Sequence, residues 1–155
     1  MTMKIRPAEK KDIGRILVLL GQVLDVHVAI RPDIFAEGST KYGPGEIEAM
    51  LGDESRPVYV AVDSLDTVIG YAFCSIKARN NIVRQSVMFI DDFCVDEKAR
   101  GKHVGTALFE HVKAEASRLG CYEVALNVWS GNEKAEKFYE KMGMKTKSRI
   151  LEYIL

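Results

Sequence analysis

The chain predicts an α/β fold: one domain over residues 1–155, with a mixed, mostly antiparallel sheet of about seven strands and helices on both faces. Three observations carry this. Val87–Val95 is rich in β-branched and aromatic residues, as a buried strand is, and passes through a short turn into Val104, Leu108, Val112, Ala116 and Leu119 at helical spacing. A second strand, turn and helix follow between Glu123 and Gly143. Upstream, strand-like and helix-like segments also alternate, the pattern of a sheet layered between helices. At 155 residues the chain can bury a core without staples.

In order, Met3–Pro7 predicts a first strand. Asp12 stands at a cap position ahead of Ile13, Ile16, Leu17, Leu20, Leu24 and Val28, which share one side of a helix. A stretch punctuated by glycine and proline, from Arg31-Pro32 to Gly43-Pro44-Gly45, leads into a short helix around Glu46–Leu51. Val58–Val62 and Val68–Ile76 predict a hairpin joined through Asp63–Thr67. Residues 78–86 are polar and connect to the central strand. Its helix stops at Gly120, and Glu123–Trp129 predicts another strand. Ser130 with Glu133 is a capping-box signature for a helix that carries Ala135, Phe138, Tyr139 and Met142 on one face and ends at Gly143. A final strand pair is expected to close the chain at Leu151–Leu155.

Composition narrows the function. Lysines and arginines number 22, as do aspartates and glutamates, so net charge is zero and no basic run suggests nucleic acid. No apolar run approaches membrane-spanning length, and the N-terminus lacks an apolar leader. Cys74, Cys94 and Cys121 sit in strand-like segments without metal-ligand spacing. Reduced thiols, a cytoplasmic location and no metal are the expectation.

The turn after the central strand holds Arg100, Gly101, Lys102, His103, Gly105 and Thr106. Backbone N–H groups at a helix start, beside glycines that permit close approach, suit a phosphate group. An ordinary strand-to-helix turn would read the same way. The nucleotide P-loop and the dinucleotide fingerprint both require spacings that are absent here.

Arg100-Gly-Lys-His-Val-Gly105 resembles the pyrophosphate loop of the GCN5-related N-acetyltransferases, Gln/Arg-x-x-Gly-x-Gly/Ala, with His103 in place of the first patterned glycine. Asn132-x-x-Ala135-x-x-Phe138-Tyr139, followed by Lys141-x-Gly143, resembles that family's second signature. The resemblance runs from the Lys4-Ile5-Arg6-Pro7 opening to the terminal strand. It implies a sheet that splays open between its fourth and fifth strands, and acetyl-CoA as the bound cofactor.

By the same resemblance, amides of Gly101, Lys102, His103, Val104, Gly105 and Thr106 would face the pyrophosphate, with Arg100 and Lys102 adding charge. The pantetheine arm would pair with the backbone of Phe93, Cys94 and Val95, and the N–H near Phe93 would polarise the acetyl carbonyl. Asn132 would touch the cofactor or cap its helix. Asp91 occupies the place where related polyamine acetyltransferases carry a glutamate proposed as base, and Tyr139 is the expected acid. Asp91 and Asp92, adjacent in a strand, should point to opposite faces, so that only one enters the gap. Asp92, His27, Phe35 and Trp129 are candidates for contact with the acceptor, in a region that also holds Arg31 and Tyr42.

The reaction implied is acetyl transfer to a primary amine of a small amine, a polyamine-like molecule or a peptide, with a homodimer left open. A non-catalytic acyl-CoA-binding module would keep the loop but need neither Asp91 nor Tyr139. Zero net charge speaks against a strongly cationic acceptor.

Overall fold

The structure, a computed structural model, describes residues 2–155. In chain order it contains β1 (Lys4–Pro7), α1 (Ile13–Ile30), α2 (Pro44–Leu51), β2 (Val58–Val62), β3 (Val68–Lys77), β4 (Val87–Val95), α3 (Val104–Arg118), β5 (Glu123–Leu126) and α4 (Glu133–Lys141). Short 3-10 turns occupy 10–12 and 97–99. The strands lie in the order β1-β2-β3-β4-β5, antiparallel except for the parallel β4–β5 pair.

Period-two alternation builds the layers. Val58, Val60 and Val62 of β2 pack with Ile16, Leu19 and Leu20 of α1 and Ile47 of α2. Tyr59, one residue out of phase, packs with Leu108, Phe109 and Val112 of α3 on the other face. The expected helices on both faces are therefore present.

Four expectations are corrected. The sheet has five strands among the described residues, not seven, because 144–155 leave α4 without joining any ladder. Asp12 does not cap α1 through its side chain. Its carboxylate accepts from the Glu9 amide and forms a buried two-bond pair with the Arg6 guanidinium at 2.7 and 3.0 Å. Asn132, not Ser130, caps α4, its Oδ1 accepting from the Ala135 amide at 3.4 Å. Finally, residues 10–30 form a helix long and apolar enough, by length and composition alone, to cross a membrane. In this fold Ile13, Ile16, Leu19 and Leu20 instead bury one side of it against the sheet.

A bulge in β4 positions the site. Phe73 pairs with Asp92 and Cys74 with Ile90, so Asp91 is the extra residue. The bulge breaks the alternation. Ile90 packs toward α3, whereas Cys94, four residues on, packs toward α1. Just before it the β4–β5 pairing ends at Ile90 and Leu126, and β4 continues to Val95 paired with β3 alone.

Candidate active site

The opening beside β4 exposes particular backbone groups. The Asp96 amide donates to the Ile69 carbonyl at 2.8 Å. Bonded and non-bonded pairs alternate in an antiparallel ladder, so Tyr71–Cys94 is a bonded pair while Gly70–Val95 and Ala72–Phe93 are not. The N–H groups of Phe93 and Val95 thus point away from β3, into the space that β5 has left. Arg100 Nε donates to the Val95 carbonyl at 3.4 Å, tying the following loop to the strand.

That loop is held from below by α1. Asp96 receives Arg15 and, at 3.2 Å, Gln22 Nε2, while the Glu97 amide donates to Gln22 Oε1 at 3.1 Å. A cleft of about 280 Å³ between Gln22, Val26 and Ala29 of α1 and Arg100 opens beside it. Gly101 and His103 both take positive φ, 77° and 62°. His103 therefore adopts the left-handed geometry that glycine would take freely, and this is the position where the motif departs from its pattern. The helix starts at Val104, so the amides of Val104, Gly105 and Thr106 lack partners within it. Arg100, Lys102 and His103 are exposed around them. An anionic diphosphate fits this donor set and the helix end that adds to it.

Gly105 has a second role. A Cβ there would lie 3.2 Å from Phe138 Cε1 and 3.5 Å from Val95 Cγ2. The glycine lets the start of α3 meet α4, so the two motifs are in direct contact. Tyr139, next to Phe138, stands edge-on to Phe93 with ring centroids 6.2 Å apart. Burial, with the nearby Asp92 charge adding to it, pushes the Tyr139 phenol well above its ordinary pKa.

The bulge breaks the alternation that would send the two aspartates to opposite faces: Asp91 lies beside Tyr42 and Phe73 and Asp92 beside Tyr71, all on the side of the sheet covered by α1 and α2. Asp92 is buried, 8% exposed, accepts from the Tyr71 hydroxyl at 3.0 Å and lies 3.4 Å from Lys41 Nζ. Burial and Asp92 hold Tyr71 far above the usual phenol range, so it is a neutral donor. Asp91 gives its carbonyl to Lys41 Nζ at 2.7 Å, and its side chain lines a cleft of about 230 Å³ with Tyr42, Arg56, Phe73, Ser75 and Lys77. The Ser75 hydroxyl is buried there without a partner. Burial, with Asp91 and Asp92 adding to it, pushes Tyr42 up to about 12.

The remaining candidates form one wall. His27 stacks on Phe35 at 5.0 Å, and Phe35 meets Trp129 edge-on at 5.1 Å. Burial lowers the His27 pKa, against the pull of Asp92. Lys41 and Tyr71 were missed in the sequence. A hydroxyl on a strand otherwise buried, two residues before Phe73, was the available signal for Tyr71, since it needs an acceptor within the core.

Known proteins resemble this chain over most of its length. The family model described as Acetyltransferase (GNAT) family matches residues 23–144. A glucosamine 6-phosphate N-acetyltransferase of Arabidopsis thaliana is 39% identical over 151 residues, 95% of this chain and 93% of that protein. A Drosophila melanogaster protein named "Probable glucosamine 6-phosphate N-acetyltransferase" is 27% identical over 145 residues, 91% of this chain, which spans only 60% of that protein's length. Among solved structures, the tetramutant of the BH1408 protein from Bacillus halodurans superposes with a TM-score of 0.91 at 28% identity, covering 98% of this chain and 99% of that one.

Proposed function

The chain belongs to the acetyltransferase (GNAT) family and is an acyltransferase, and from that premise we propose that it transfers an acetyl group from acetyl-CoA to the primary amine of a small molecule, by direct attack in a ternary complex. The observation that carries this is the outward turn of the Phe93 and Val95 amides beside the exposed loop amides and Tyr139.

Acetyl-CoA supplies the activated acetyl group. The amides of Gly101 to Thr106 hold its diphosphate, and the free edge of β4 at Phe93–Val95 pairs with its strand-like arm. The amide near Phe93 then polarises the acetyl carbonyl. An alkyl ammonium with a pKa near 10.4 must shed a proton at a cost of roughly 4–5 kcal/mol at pH 7. Asp91 takes that proton, directly or through water, and Tyr139 returns one to the departing thiolate. Asp92, held by Tyr71 and Lys41, together with His27, Phe35 and Trp129, shapes the acceptor side.

The cleft beside Asp91 joins one carboxylate to two cations, Arg56 and Lys77. That pairing suits an amine that also bears an anionic group, and it supports the amino-sugar phosphate named for two relatives as the first acceptor to try. The free thiols support action in a reducing cytosol.

The test is thiol release from acetyl-CoA with glucosamine 6-phosphate, glucosamine, a polyamine, an aminoglycoside and a peptide N-terminus. We expect saturable release with the phosphorylated amino sugar that exceeds release with glucosamine. Release with the peptide alone would overturn the small-molecule reading.

A further inference from the structure

Residues 31–43 join α1 to α2, and one lysine of this link reaches β4. Asp91, the extra residue of the bulge, has no ladder partner in β3 or β5. Its carbonyl is open, and Lys41 Nζ donates to it at 2.7 Å while lying 3.4 Å from Asp92 Oδ2. The backbone that carries this lysine is anchored. Tyr42, next in the chain, packs on Phe73 with ring centroids 5.0 Å apart, and Thr40 Oγ1 donates to the Tyr42 carbonyl at 3.0 Å. The ammonium end is nonetheless half exposed, on a flexible four-carbon stem.

That ammonium stands where an acceptor amine would stand. Phe93, whose amide faces the opening, follows Asp91 by two residues, roughly 7 Å along an extended strand. Tyr139 lies against the Phe93 ring. A carbonyl and a carboxylate that both face one primary ammonium are the groups that would receive the acceptor's own nitrogen. The other lysines are placed elsewhere. Lys10, Lys113 and Lys147 pair with carboxylates away from the bulge. Lys77 lines the cleft beside Asp91, but its ammonium sits over the Phe89 ring, 5.7 Å from the centroid.

We propose that Lys41 is an internal acceptor: with acetyl-CoA bound and no outside amine present, the protein acetylates its own Lys41. This self-modification rests on the proposed acetyl transfer, of which it is a special case. The ammonium first gives one proton to solvent by way of Asp91. The amine then attacks the acetyl carbon, and the carbon–sulfur bond breaks as the nitrogen–carbon bond forms. The second nitrogen proton leaves by the same path and replaces the one that Tyr139 gives to the thiolate. The products are Nζ-acetylated Lys41, coenzyme A as its thiol and one released proton. The modified side chain has lost the charge that faced Asp92, so it no longer competes with an incoming ammonium for that carboxylate.

The test incubates the full chain with acetyl-CoA alone and follows intact and peptide masses with time. Thiol release with the five amines named above is measured on the same preparation. We expect one acetyl group per chain, on Lys41, at a rate per chain that does not change with protein concentration. Tyr139→Phe should slow this labelling by about tenfold or more, and Lys41→Arg should abolish it. Chemical acetylation by the thioester would instead spread over exposed lysines such as Lys10 and Lys134 and ignore Tyr139. That pattern would overturn the proposal. So would an unlabelled Lys41 in a protein that releases thiol with an outside amine, a result that leaves the proposed small-molecule transfer standing. Neither label nor release would remove both.

Discussion

Tyr139 of α4 meets Phe93 of β4 edge to face at 6.2 Å, at the place where β4 has parted from β5. The contact holds the phenol beside the one stretch of β4 whose amides face the opening. Burial, with Asp92 adding to it, raises the phenol's pKa, so it keeps its proton across neutral and mildly alkaline pH.

Tyr139→Phe keeps the ring and removes the hydroxyl. We expect kcat to fall by one or more orders of magnitude, within the roughly 10²–10⁴ range of general-acid help, while acetyl-CoA affinity changes little. Because the phenol titrates above its usual range, wild-type kcat should show no loss of this acid below pH 10. Wild-type kcat in the variant, measured where chemistry limits the rate, would reduce Tyr139 to a packing residue.

The two aspartates should respond differently. Asp91→Asn is expected to lower kcat/KM most near pH 7 and progressively less as pH rises toward the amine's own pKa, where free amine is already present. Asp92→Asn removes charge from a buried group that Tyr71 and Lys41 both bind, so stability should drop along with activity. A defect in Asp91→Asn of equal size at every pH would assign it a positioning role.

Much of this was legible because local chemistry set it. Gly101, Gly105 and the helical run from Val104 fix a strand-turn-helix whatever lies around them, and so do Ala135, Phe138 and Tyr139 with Gly143. The Asp91 bulge was not legible, since VMFIDDFCV reads as one unbroken strand by itself and the extra residue exists only relative to β3. The terminal strands were misread for a related reason: Ile150–Leu155 has strand character, but a strand needs a neighbour, and pattern says nothing of where that neighbour is. At the start of α4, two cap residues two positions apart competed, and Asn132 prevailed because Gly131, at φ 100°, turns the chain just before it.

His103 holds a left-handed backbone at the head of α3. His103→Gly should relieve strain of roughly 1 kcal/mol, raise Tm slightly, and leave acetyl-CoA binding equal or tighter. A clear loss of affinity would mean that the imidazole itself grips the phosphate.

Burial pushes the thiols of Cys74 and Cys94 up to about 12 in each case. The thiolate is the reactive form, so at pH 8 a native sample should consume one equivalent of iodoacetamide, at half-buried Cys121, and three only after unfolding. Rapid native alkylation of Cys94 would show that the opening beside β4 is looser than described.

The most direct measurement is a titration of ¹⁵N-labelled protein with acetyl-CoA, followed amide by amide. We expect the largest shifts at Phe93 and Val95 and at Gly101 through Thr106, with the Ile5 and Val60 amides on the far strands unmoved. Saturation with shifts confined to other surfaces, or no shifts at all, would contradict it.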